Sequence, residues 1–268
     1  MTDFVGKHSL VLFLLLTIFF GWFWWVQMVL DFWPAELILI PSSLGGISPI
    51  LTLMILQKFS DYAVDVDKIF NTVHTWRKRV PWLMLSAFML PTVITIGNVL
   101  SFIVGNEVQL NLLNPERVEL GLALIVMVPL TFFPGLLTSP LFEEPGWRGF
   151  ALPKLQSRFG REGGSLIIGS YWWLWHQMSN LYWGLYPTPI SCLSMLGYSF
   201  AIDSLFNLSR RNLLAAMFAH QSLLIVNTYL YKTTNYLSAL FILAIIWTSV
   251  LVLRIFESRR DFQDELVF

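Results

Sequence analysis

Long apolar stretches recur along almost the whole chain, and they limit what it can fold into more than any other feature. The first, Leu10 to Leu30, is followed by runs at about 35–57, 81–104, 118–141, 163–183, 189–206, 213–231 and 236–256. A bilayer's hydrocarbon core takes roughly 20 apolar residues of helix to cross, and backbone amides in lipid must be satisfied within their own segment. The expected fold class is therefore all-α: a polytopic transmembrane helix bundle of about eight spans, one domain over residues 1–268. The first run exceeds the roughly 7–15 residue core of a signal peptide and lacks an A-x-A cleavage pattern, so it reads as a retained helix. The spans make the lipid bilayer itself an expected partner.

Charge supports this reading. Only 13% of the residues are charged, against about 25% in an ordinary soluble domain, which excludes a soluble, DNA-binding or disordered chain. Lys and Arg total 17, as do Asp and Glu; without a net field no nucleic acid partner is expected. The lone Cys192 has no intramolecular disulfide partner. Cationic residues concentrate on the cytoplasmic side of short loops. Threading eight helices from an inside N-terminus leaves only Arg117 and Lys232 of the 17 outside. Both termini are thus expected to be cytoplasmic. Residues 58–80 read as a cytoplasmic amphipathic connector, with Val66, Ile69, Phe70, Val73 and Trp76 near helical spacing before Arg77-Lys78-Arg79. Glu257 to Phe268 read as a short polar tail.

Ionisable side chains inside a bilayer cost at least about 2.5–3.5 kcal/mol near its centre, so each is a functional suspect. They are Glu143, Glu144 and Arg148 after the fourth run, His176 in the fifth, Asp203 near the inner end of the sixth and His220 in the seventh. In the segment Phe142-Glu143-Glu144-Pro145-Gly146-Trp147-Arg148 a helix would set Glu144 against Arg148, four residues on, and turn Glu143 roughly 100° away. Pro145 suits a first helical turn. A juxtamembrane polar cap with one salt bridge would give the same pattern. His176 lies about 13 residues into its run, roughly 20 Å at 1.5 Å per residue. It sits in Trp172-Trp173-Leu174-Trp175-His176, which also fits an interfacial aromatic belt. A Glu and two His in a partly wet, low-dielectric pocket can activate water, the carboxylate as base and an imidazole as proton carrier or oxyanion donor. They are also suitable zinc ligands. H-E-x-x-H and G-x-S-x-G are both absent, which removes the zincin arrangement and support for a nucleophilic serine.

These residues resemble the CAAX-protease and bacteriocin-processing (CPBP, or Abi) family of intramembrane endopeptidases, related to type II CAAX prenyl proteases. The family's E-E-x-x-x-R signature is matched by Glu143-Glu144-Pro145-Gly146-Trp147-Arg148, with a similar continuation from Gly149 to Gln156. Its second signature sets an aromatic, usually Phe, ahead of a His with three residues between; here these are Trp172 and His176. Its third is H-x-x-x-N/D; His220 fits, whereas Leu224 stands at the Asn/Asp place. The resemblance spans a catalytic core of about 118–230.

The resemblance implies an endopeptidase that hydrolyses a peptide bond of a membrane-associated or lipidated substrate near the cytoplasmic face. Glu143 and His176 would activate water, His220 would stabilise the oxyanion, and Glu144 and Arg148 would hold the site together. With Leu224 in the third signature, Asn227, seven residues after His220, or Asn180, four after His176, is the candidate replacement. Both also suit helix packing. A metal-free, glutamate-dependent mechanism is the preferred expectation, with no cofactor; a zinc enzyme would use Glu143, His176 and His220. The expected location is a bacterial or archaeal plasma membrane. The alternative is a non-catalytic membrane protein, an immunity factor or scaffold retaining the fold.

Overall fold

The computed structural model describes residues 2–60, 64–105, 112–230 and 236–266. Lys232, and the tail's last two residues, lie outside the described residues. In chain order the helices are α1 (Thr2–Val29), α2 (Leu39–Gly46), α3 (Ser48–Phe59), α4 (Val66–Asn71), α5 (Val80–Gly105), α6 (Pro115–Val118), α7 (Leu124–Gly135) and α8 (Ser139–Glu144). A π-helical turn, Pro145–Ala151, follows. Then come α9 (Leu152–Tyr182), α10 (Pro189–Leu208), α11 (Leu213–Tyr229) and α12 (Tyr236–Leu266). Among the described residues no strand forms, only a single bridge between Leu113 and Leu230. The protein is all-α and its apolar helices make it an integral membrane protein.

Each expected apolar run is occupied by helix, but the helices differ in kind. Five stretches are long and apolar enough to cross a membrane, and α2 with α3, bent by 46°, pass together as a sixth. Two of the expected runs fall within one stretch, Gly121–Tyr182. It is interrupted by the π turn and by Gly160, whose φ of 73° and ψ of 173° break α9. That backbone region is essentially reserved for glycine. The run at 213–231 is the shorter helix α11. The polar end of the chain departs from the expected tail: α12 continues to Leu266. Glu257 is buried there because Arg254 donates to it at 2.9 Å, an i,i+3 pair on one helix face.

The residues sort into two compact units, Met1–His74 with Leu141–Ser199, and Thr75–Pro140 with Phe200–Phe268. In the first, α1 buries Val5, Ser9, Phe13, Thr17, Gly21, Trp25 and Met28, a stripe spaced by four residues and finally three. That spacing makes one ridge along the helix, and it packs on α2, α3 and α9. On the opposite side of α1, Val11, Leu15, Phe19 and Phe23 are exposed, as a lipid-facing surface requires. A Cβ on Gly21 would sit 2.5 Å from Trp175 Nε1, so the glycine lets that indole reach Ser48 Oγ at 3.1 Å. Lys154 Nζ donates to Ser9 Oγ at 3.0 Å and fastens the start of α9 to α1. At α4 the capping Asp65 and the helical Asp67 and Lys68 are exposed while Val66, Ile69 and Phe70 are half-buried. Ile69 seats on Gly149 of the π turn, where an added Cβ would lie 2.5 Å from its methyl.

In the second unit α5 packs on α11 and α12. Its buried face carries small and polar residues, Ser86, Gly97, Asn98 and Ser101, among Leu83, Leu90, Val93 and Ile94. Small residues at membrane helix interfaces let backbones come close. Asn98 Oδ1 accepts from Ser238 Oγ at 2.7 Å.

Candidate active site

The candidate site is built around the π turn of the first unit. A π turn carries one residue more than an α turn and is frequently found at functional sites. Glu143, at the end of α8, is 2% exposed; Glu144 and Arg148 are fully buried. Arg148 Nη1 donates to both carboxylate oxygens of Glu144, at 3.1 and 3.2 Å. Its Nη2 donates to Ser199 Oγ at 2.9 Å. Gly169 permits that contact: a Cβ there would meet Leu196 and Ser199 at 3.1 Å. A buried ion pair is tolerable only when its remaining donors and lone pairs are met. Ser199 and the face of Trp172, 4.9 Å beneath the guanidinium carbon, supply that.

Glu143 points elsewhere. Its Oε2 accepts the indole N–H of Trp172 at 2.9 Å and of Trp147 at 3.4 Å. Indoles only donate, so in both contacts the carboxyl oxygen is the acceptor. His176 is half-buried. Its Nδ1 lies 2.9 Å from the carbonyl oxygen of Trp172. A carbonyl only accepts, so Nδ1 carries the proton and, in the neutral ring, Nε2 holds the lone pair. Trp175, Trp172 and Trp25 surround the imidazole at ring centroid distances of 4.7, 5.4 and 6.4 Å. Of these, Trp25 comes from α1, whose Trp22 also donates to the Trp175 carbonyl at 3.1 Å.

The first unit thus brings together Glu143, Glu144, Arg148, Trp172 and His176. Asn180, one turn beyond His176, is half-buried. The other sequence candidates lie on α11 in the second unit. There His220 is 3% exposed among Ala216, Ala219 and Gln221, whereas Asn227 is exposed. The start of α11 is fixed by Asn212, whose Oδ1 accepts from Leu214 N at 3.0 Å while Nδ2 donates to Thr75 Oγ1 at 3.0 Å. Beside His220, Gln221 lies against Gly135, and its Nε2 donates to the Thr131 carbonyl at 3.4 Å. Asp203, the remaining buried suspect, is fully enclosed on α10. Among the described residues no three His, Cys, Asp or Glu side chains gather as a metal site needs.

Sequence reasoning missed two contributors. Trp147 stands four residues after Glu143, and the spacing rule that paired Glu144 with Arg148 would have found it. Ser199 carried no comparable signal.

A helical membrane protein with a buried carboxylate, imidazole and paired arginine is the class that fold and site define. The family model described as type II CAAX prenyl endopeptidase Rce1-like matches residues 125–225. A curated relative, CAAX prenyl protease 2 of Methanococcus maripaludis, is 29% identical over 142 residues. The alignment covers 52% of this chain and spans about half, 49%, of the relative. The matched region contains the whole E-E-x-x-x-R segment, His176 and His220, so the likeness to CAAX proteases covers most of the candidate site residues.

Proposed function

We propose that the chain is an intramembrane endopeptidase that hydrolyses a peptide bond of a membrane-associated or lipidated substrate near the cytoplasmic face. The observation that carries this reading is Glu143, an almost fully buried carboxylate held by two indoles beside His176. Lipid would not retain such a group without use. The relative is named as a prenyl protease, and the same chemistry serves here. Glu143 takes a proton from water as the oxygen attacks the scissile carbonyl. His176, with Nε2 as its acceptor, shares that proton and delivers it to the departing amine when the C–N bond breaks. His220 donates to the oxyanion of the tetrahedral intermediate. Glu144 and Arg148 keep the π turn in shape. The reaction needs no metal in this scheme, because base, acid and oxyanion donor are side chains. Eight crossings with both termini inside, in a bacterial or archaeal plasma membrane, complete the proposal.

The full chain in proteoliposomes should cleave a membrane-tethered quenched reporter peptide, and Glu143→Ala should lose several orders of magnitude in rate. Equal rates for the two proteins remove Glu143 from the mechanism. A chelator should change little; complete loss restored by zinc would instead favour the metal form. The second reading, a non-catalytic immunity factor or scaffold, draws on Leu224 at the third signature's Asn/Asp place and on the exposed Asn227. It requires the cellular phenotype to survive Glu143→Gln and His176→Ala.

A further inference from the structure

We propose that Trp172 is a positioning residue for Glu143, holding its carboxylate in the orientation that faces the water to be activated. This rests on the reading of Glu143 as the base. Where the related signature usually has a phenylalanine, this chain has a side chain that differs in one relevant respect: it carries an N–H. That N–H donates to Glu143 Oε2 at 2.9 Å from α9, while Trp147 reaches the same oxygen at 3.4 Å from the π turn. The terminal torsion of a glutamate is broad and roughly two-fold. Two donors arriving at one oxygen from separate segments fix it.

Trp172 is itself held on every side. It is 1% exposed, and its ring lies under the Arg148 guanidinium at 4.9 Å. Its own carbonyl oxygen accepts the Nδ1–H of His176 at 2.9 Å. One residue therefore orients the carboxylate through its side chain and the imidazole through its backbone, and couples both to the Glu144–Arg148 pair. A hydrogen bond to an ionised acceptor is shorter and stronger than a neutral one. Reacting groups lose rate steeply when they drift from productive geometry. Phenylalanine in place of Trp172 would keep the aromatic face for Arg148 and the backbone carbonyl for His176, and would remove the indole N–H.

The test uses the full chain in proteoliposomes, with Trp172→Phe and, as the comparator with the longer bond, Trp147→Phe. Trp172→Phe should lower kcat about tenfold, the scale of one hydrogen bond to a charged group, with KM unchanged. Trp147→Phe should lower it less. An unchanged kcat in Trp172→Phe, or a change confined to KM, overturns the assignment. A second arm needs no turnover. The infrared difference between the protein and Glu143→Gln isolates the Glu143 carboxylate stretch, and that band should shift in Trp172→Phe; a band that stays in place also overturns it. If Glu143→Ala cleaves as fast as the unaltered protein, the protease reading fails on its own, and the infrared arm still decides whether Trp172 holds Glu143.

Discussion

The two compact units bury polar groups by different chemistry. In the unit of Met1–His74 and Leu141–Ser199, an ion pair and a second carboxylate are enclosed, and their partners arrive from several segments: indoles from the π turn and α9, a hydroxyl from α10. In the unit of Thr75–Pro140 and Phe200–Phe268, most of the paired polar groups are neutral and the contacts short-handed: Ser238 to Asn98, Asn212 to Thr75, Gln221 to a carbonyl. The charged pair of α12, Arg254 with Glu257, is made within one helix, and Arg254 also lies over the ring of Phe200 at 5.3 Å. Neutral contacts between membrane helices are packing devices worth about 0.6 kcal/mol on average. A multiply supported buried charge is not explained by packing, because an apolar pair of the same volume is often as stable or more so. The Glu144–Arg148 pair is therefore a feature that packing alone does not require.

Breaking the Glu144–Arg148 pair should have the largest effect on stability. Arg148→Ala leaves Glu144 buried without its cation and should cost about 3–5 kcal/mol, read as loss of cooperative unfolding in detergent micelles. Replacing both at once, Glu144→Leu with Arg148→Met, should be less destabilising than Arg148→Ala alone. If the double variant is the worse of the two, the pair is a net stabiliser and the contrast between the units disappears. In the second unit the sensitive feature is close packing. A Cβ at Gly97 would meet Ile242 Cγ1 at 2.4 Å and its backbone N at 3.1 Å, so Gly97→Ala should cost about 1–3 kcal/mol in a denaturant titration. A neutral result there would mean that α5 and α12 can move apart freely. The smallest effect is expected at the cap of α11: Asn212→Ala should cost about 1 kcal/mol, measured the same way. A loss as large as that of Arg148→Ala would make Asn212 more than a cap.

Several parts of this architecture were legible in the residues and others were not. The positions of the helices followed from hydropathy, and the facing of Glu144 and Arg148 from their spacing of four, since both are rules about neighbours in the chain. The same rule reaches Trp147 from Glu143. It does not reach Trp172, 29 residues away, or Ser199, 51 residues from Arg148. Nor did hydropathy distinguish a straight span from the bent pair α2 and α3, or from a stretch broken at Gly160. The polar residues from Glu257 on read as a tail because composition says nothing of helix continuation. They extend α12 instead, with Glu257 buried against the preceding turn.

By itself the sequence determined that this chain is helical and lives in lipid, and that an acidic pair, an arginine and two histidines stand where charge is expensive. Transfer energies and helical periodicity act over a few residues, so they can be read along the chain. Only the tertiary structure decided which partners those groups received: two indoles for Glu143, a serine for Arg148, a tryptophan carbonyl for His176. Donors from distant segments meet an acceptor only after the helices have packed, and where they pack depends on small residues such as Gly21 and Gly169 that open room for them.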